Sequence, residues 1–180
     1  MLYNAEDMEA RAALEAAALI CAAARTAPKA KGIDRIHTLV LTGSDKDAVA
    51  DEMERCGSAN GADFFLRDAD NVRTASALVL IGIEEGKRGL NALCGHCHFA
   101  DCGDCAAHDG VCVFDPIDLG IALGSAAATA ADCRVDSRIL FSAGRTAQNL
   151  GLMGEHVKMV HALPIAISGK SPFFDRKPKN

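Results

Sequence analysis

The sequence predicts an α+β domain, α/β-like in its alternation, with helices flanking a buried sheet. Three observations predict it: an uncharged apolar run at 77–83, an alanine-rich helical pattern at 6–25, and helical stretches that fall between four strand-like ones. Each element follows from local chemistry. In 6–25, Met8, Leu14, Ala18 and Cys21 are spaced to share one helical face, and Thr26-Ala27-Pro28 ends the helix. A basic loop, Lys29-Ala30-Lys31-Gly32, leads into 34–41, which reads as a buried strand. Gly43 turns the chain, and Ser44-Asp45-Lys46-Asp47 has the form of a capping box. The helix it opens should run to Cys56, with Gly57 as its stop. A short helix is expected over 62–70. Ala77-Leu78-Val79-Leu80-Ile81-Gly82-Ile83 is then a strand covered on both faces.

Residues 84–114 are rich in Gly and Cys and lack useful periodicity. Asp115 as N-cap, Pro116 at the first helical position and Asp118 in the first turn restart regular structure as a helix over 117–128. Along it Gly120, Gly124 and Ala128 recur every four residues, a face that suits either a dimer seam or close packing in the chain's own core. A third strand is expected over 138–141, a short helix over 145–152, and a fourth strand over 157–167 interrupted by Pro164. The chain reads as one domain, 1–180, with 84–114 as an excursion from it.

Composition narrows the function classes. The 180 residues include no Trp, one Tyr and seven Phe, so Ala, Leu, Ile and Val must build the core. Hydrophobic residues at 49% and charged ones at 24% exclude a disordered chain. Nineteen basic against twenty-four acidic residues, a net charge of −5, leave no surplus to neutralise a phosphate backbone, so no nucleic acid partner is expected. The first residues lack the basic and apolar regions of a signal peptide, and the longest nearly uncharged stretch, 119–131, is too short to span a bilayer. A cytoplasmic protein without a membrane partner is expected, and in that reducing setting clustered cysteines point to metal or redox chemistry.

Five of the eight cysteines fall between positions 94 and 112: Cys94-Gly-His-Cys97-His-Phe-Ala-Asp-Cys102-Gly-Asp-Cys105, and then Cys112. A Cys-x2-Cys turn aims two soft thiolates at one centre, and further thiolates from the same loop complete a four-sulfur set. One reading is an iron–sulfur cluster wrapped by Cys94, Cys97 and Cys102, with Cys112 closing from outside. Within it, Cys97-x4-Cys102-x2-Cys105 also reproduces part of the plant-type [2Fe–2S] spacing, with Cys133 as a distant fourth ligand. A second reading is structural zinc on Cys94, Cys97, Cys102 and Cys105, although zinc ribbons separate their two pairs by ~15–20 residues. Free or disulfide-linked thiols are the third. Glycines 95, 103 and 110 would relieve the tight turns. His96, His98 and His108 are expected beside the site, and Cys21, Cys56 and Cys133 as small apolar residues.

Cys94-Gly-His-Cys97-His-Phe-Ala-Asp-Cys102 resembles the single-cluster [4Fe–4S] motif C-G-x-C-G-x-x-x-C with a later Cys, except that His98 stands where the pattern has Gly. The resemblance assigns Cys94, Cys97, Cys102 and Cys112 as ligands and leaves Cys105 as an extra or alternative thiol. Three further stretches are similar to a prokaryotic family of ferredoxin-domain proteins of unknown function. They are Ala24-Arg25-Thr26-Ala27-Pro28-Lys29-Ala30-Lys31-Gly32-Ile33-Asp34, Asp118-Leu119-Gly120-Ile121-Ala122-Leu123-Gly124-Ser125 and Gly169-Lys170-Ser171-Pro172-Phe173-Phe174-Asp175-Arg176. More distantly, 24–34 and 118–131 resemble the loop after the first helix and the central helix of nitroreductase-like flavoproteins. That resemblance implies a nitroreductase-like sheet, a homodimer and FMN held between subunits. The basic phosphate-binding motif of that fold is missing, and Gly32 stands where it has Asn. The basic groups left for a flavin phosphate are Arg25, Lys29, Lys31, Lys170 and Arg176. Their ordinary alternative is a solvated surface.

Two function classes follow. One is a redox protein whose [4Fe–4S] cluster exchanges electrons with an unidentified redox partner or a flavin. The other is a dimeric binding scaffold whose loop holds zinc structurally. No Ser–His or Cys–His pair, P-loop or G-x-G-x-x-G stands out, and His37, His156 and His161, on or beside strands, are expected to be structural.

Overall fold

Residues 77–83 are buried along their whole length because they form an inner strand, β2 (Ala77–Glu84). The computed structural model describes residues 1–174. Around β2 lie β1 (Ile36–Leu41), β3 (Asp136–Ser137) and β4 (Val157–Ala166), in the order β1-β2-β4-β3 and antiparallel throughout. The helices are α1 (Ala5–Thr26), α2 (Gly43–Asn60), α3 (Asp63–Thr74), α4 (Cys102–Ala107), α5 (Phe114–Asp132) and α6 (Phe141–Asn149). Successive side chains of β2 point to opposite faces. Val79, Ile81 and Ile83 therefore join a core with α1 and α5, while Leu78 and Leu80 join one with α2, α3 and α6. The sheet flanked by helices on both faces is the predicted fold class.

α1 buries a different face from the one its larger residues suggest. Ala13, Ala16, Ala17, Ile20 and Ala24 are buried, whereas Met8 and Leu14 are 48% and 53% exposed and Ala18 also faces outward. Opposite lie Leu119, Ala122, Ala126 and Ala130 of α5. Small residues on both helices let the axes approach closely, so alanine wins the interior. The capping box falls on Asn4 and Asp7 at the start of α1, not on Ser44 and Asp47. α2 already begins at Gly43, and its Lys46 is buried, donating to the carbonyls of Val72 and Arg73 at the end of α3. Nor does Gly57 stop α2, which continues to Asn60 with the left-handed Gly61 as its cap. A Cβ at Gly57 would come within 2.9 Å of Leu66 and Phe65, so this glycine serves the approach of α3.

Three later expectations also change. The strand expected at 138–141 is displaced: β3 holds only Asp136–Ser137, Leu140 makes an isolated bridge to Ala162, and Phe141 opens α6. Pro164 does not interrupt β4. Ala162 bonds Leu140 in both directions while the Ile165 carbonyl accepts from Ser76 on the β2 side, so alternation turns the donor-less Pro164 nitrogen towards the break between β3 and Leu140. α5 begins at Phe114, one residue before Asp115, which lies inside the first turn and is fully buried. The Gly120, Gly124 and Ala128 face lies outside the protomer's core: all three are exposed, beside Ile117 and Ile121 at 42% and 41%. In the C-terminal tail Phe173 packs with Ala75 and Ala166 of its own chain, Phe174 is exposed, and Arg176 lies outside the described residues. No helix among the described residues is long and apolar enough to cross a membrane.

Candidate metal centre

The loop that leaves β2 is shaped by backbone that few residues tolerate. Gly95 takes a φ of +66° inside Cys94-Gly-His-Cys97, and His98 a φ of +63° just after it. The left-handed turn explains why the resembled motif carries Gly at that place; His is one of the side chains that enters this region more readily than most. Asp101 then caps α4, its Oδ1 accepting from the Asp104 N–H at 2.8 Å. Cys102 and Cys105 sit three apart on this turn and so share one side of it. Gly103, expected to relieve a turn, is instead the second residue of α4. Gly110 has the opposite role, since its missing Cβ leaves room for the Phe99 ring.

The result is one hollow lined by Cys94, Cys97, Cys102, Cys105 and Cys112, with Lys87 and Arg88 at its wall. All five thiols are free. Cys105 is 1% exposed and Cys112 8%. Burial and a hydrogen bond to Cys97 push the Cys105 thiol up, so a metal must displace its proton. Among the described residues no three cysteine sulfurs lie within 4.8 Å of one another. A tetrahedral zinc with Zn–S bonds of ~2.3 Å would draw four of them to about 3.8 Å; a cubane cluster spaces its ligands more widely. Five soft thiols on one hollow fit an iron–sulfur cluster or a sulfur-ligated zinc, with one thiol to spare.

Charge behind the hollow is organised by a residue the sequence reading passed over. Arg88 is buried, and its two terminal nitrogens donate to Asp115 at 2.8 Å and Asp118 at 2.7 Å. Asp115 also accepts from the Gly86 N–H, and Asp118 from the Ala30 N–H 88 positions away. Burial pushes the Asp115 carboxyl up against the pull of Gly86 and Arg88. Burial likewise opposes the charge on Arg88, but the hydrogen bond to Asp118 and the charge of Asp115 outweigh it and raise its pKa. The charged pair is the state this geometry holds, since both guanidinium nitrogens face a carboxylate. One signal for it stands in the sequence: Asp118 lies on the apolar side of a helix, where an acid needs a buried cation. Lys87 closes the wall by donating to the Gly110 carbonyl at 2.6 Å.

The other predicted site residues scatter. Arg25 pairs with Asp34 at 2.5 Å, and Lys29, with a side chain 9% exposed, donates to the carbonyls of Arg25 and Ala27. Both are engaged as donors within the fold. Lys31 and Lys170 are exposed. His96 lies near Phe114, and His108 stacks on Phe99 and bonds the Asp104 carbonyl, both beside the loop as expected. Cys21 and Cys133 pack against the core, and Cys56 donates to Glu52 at 3.3 Å.

Comparison with known proteins adds the following. The family described as uncharacterized proteins containing a ferredoxin domain matches residues 108–176, a stretch that includes Cys112 and begins after Cys105. An uncharacterized protein of Archaeoglobus fulgidus is 37% identical over 187 residues, which cover 99% of this chain and all of that one. Solved structures with a similar fold include a protein described as a nitroreductase in complex with FMN from Desulfovibrio desulfuricans, at a TM-score of 0.58, 16% identity, 91% of this chain and 79% of that one. A nitroreductase family protein from Clostridium novyi gives 0.55 at 12% identity, with 85% and 73% covered. Nitroreductase A from Vibrio parahaemolyticus gives 0.55 at 13% identity, covering 92% of this chain and 62% of its own length. At such identity the likeness is one of fold: a nitroreductase-like sheet flanked by helices.

Proposed function

This chain belongs to the family of proteins containing a ferredoxin domain, and from that premise we propose that it is a redox protein holding a single [4Fe–4S] cluster. The observation that carries the reading is the convergence of five free thiols on one hollow. Bound there, a cluster supplies a one-electron carrier. Cys94, Cys97, Cys102 and Cys112 would hold it, with Cys105 as the replaceable fifth thiol. Leu90, Phe99, Val113 and Phe114 give the hollow an apolar lining, while Lys87 brings positive charge to its wall and would help set the potential. Electrons would pass to a partner oxidoreductase; no step is assigned to a flavin.

The reading includes a cytoplasmic single-domain protein, with 84–114 as its cluster-binding insertion and a homodimer built on α5. Supporting the dimer, a Cβ at Gly120 or Gly124 would meet nothing within 4 Å, so the protomer itself has no use for either glycine. Two mid-helix glycines cost about 1 kcal/mol each unless another backbone approaches them.

Anaerobic purification followed by iron, sulfide and zinc analysis tests the cluster. The expected product is brown, bleaches on reduction and carries about four irons per chain. Cys97→Ser and Cys112→Ser should lose the iron, whereas Cys105→Ser keeps it. A colourless anaerobic protein whose zinc sits on cysteine sulfur would favour the scaffold reading instead.

A further inference from the structure

Three side chains far from the cysteine hollow converge on one point. His37 lies on β1 opposite Gly82, and Glu84 stands two residues beyond Gly82, so both project from the same face of the sheet. His156 immediately precedes β4. A bulge between Ile83 and Glu84 sets Val157 opposite Glu84, and Val157 fills the space that a side chain at Gly82 would take, which draws His156 in beside Glu84. His37 Nε2 lies 2.7 Å from Glu84 Oε1 and His156 Nε2 3.8 Å from the same oxygen. The ligand atoms of all three are within 4.8 Å of one another, the one such trio among the described residues.

We propose that His37, Glu84 and His156 form a second metal site, one that takes a divalent cation of the zinc type. The donor set is right: two imidazoles and a carboxylate are the three protein ligands of zinc sites that keep a fourth position open. The rings are preset. They meet edge to face at 5.2 Å, and the His156 ring occupies the place where a Cβ of Gly154 would stand, 2.7 Å from its Cε1, with Gly154 at a φ of +80°. Donors ~2.0–2.2 Å from a tetrahedral ion stand about 3.4 Å apart, so binding parts His37 Nε2 from Glu84 Oε1 and draws His156 Nε2 towards that oxygen. The ion replaces the hydrogen bond between His37 Nε2 and Glu84 Oε1, with the neutral imidazole carrying its proton on Nδ1. Side-chain exposures of 37%, 34% and 58% leave an entry path and a water position. None of the three residues lines the cysteine hollow, so the site stands or falls independently of the cluster.

The test uses the anaerobic, iron-loaded protein dialysed against low-micromolar zinc chloride. One zinc per chain is expected, and its X-ray absorption edge should show nitrogen and oxygen neighbours without sulfur. His156→Ala, at an exposed position, and His37→Ala should each weaken zinc binding at least about tenfold while iron content stays unchanged. Should the hollow itself take zinc, two ions per chain are expected and His156→Ala loses only the one without sulfur. Equal zinc binding by wild type and both variants, or no zinc held by the wild type outside sulfur ligation, overturns the proposal.

Discussion

Arg88 carries a full charge into the interior, its side chain 1% exposed, and there meets two carboxylates of α5. Removing one partner of a buried pair leaves the other charges unpaired, at a cost of about 3–5 kcal/mol. Arg88→Met should therefore lower the unfolding free energy by about that much in a urea titration, and a loss below 1 kcal/mol would mean that the carboxylates find other donors. His161 gives a pH dependence. Burial pushes its pKa below the ordinary 6.5, so the unfolded chain binds its proton more readily than the folded one. The stability it allows is present in full above pH 6.5 and is lost as the pH falls through the folded value. Thermal melts from pH 7.5 down to 5 should fall more steeply for the wild type than for His161→Gln; parallel curves would show that another group titrates. At this scale the cysteine spacing was legible, since thiols this close admit few other uses. Arg88 was not, because its partners Asp115 and Asp118 lie 27 and 30 residues away.

Glycines in two helices separate local preference from packing. Gly144 of α6 lies so close to β4 that an added Cβ would stand 2.2 Å from the Val160 carbonyl oxygen. Gly144→Ala must push the helix off the sheet, and overpacking of that kind costs about 1–3 kcal/mol or more. Gly120 and Gly124 of α5 face open space, so Ala at either should stabilise the isolated protomer by about 1 kcal/mol. The same changes should weaken the proposed dimer; denaturation reads the first effect and sedimentation at several concentrations the second. A denaturation midpoint unmoved by Gly124→Ala would count against the free face, and an unchanged dimer against the seam. The sequence pattern placed α1 and α5, and put α6 about four residues late. It could not say that α1 hides alanines and shows Leu14 and Leu19 at 53% and 56%, because periodicity marks a face without saying what lies across from it.

For the whole molecule, two cores on either side of one sheet make most of the fold independent of metal. Stripping iron anaerobically should leave the far-ultraviolet dichroism nearly unchanged and raise amide exchange chiefly in 85–113. A cooperative loss of helix on chelation would show instead that the centre nucleates the domain. Composition, apolar runs and cysteine spacing determined the fold class, the buried central strand and the loop that gathers the thiols, all properties carried by neighbours in the chain. Tertiary structure alone decided which face of α1 is inside, where Arg88 finds its carboxylates, and that His37, Glu84 and His156 share a corner of the sheet. Those arrangements join residues up to 119 positions apart: packing on α5 decides the first, the loop after β2 meeting α5 the second, and the register of antiparallel strands the third.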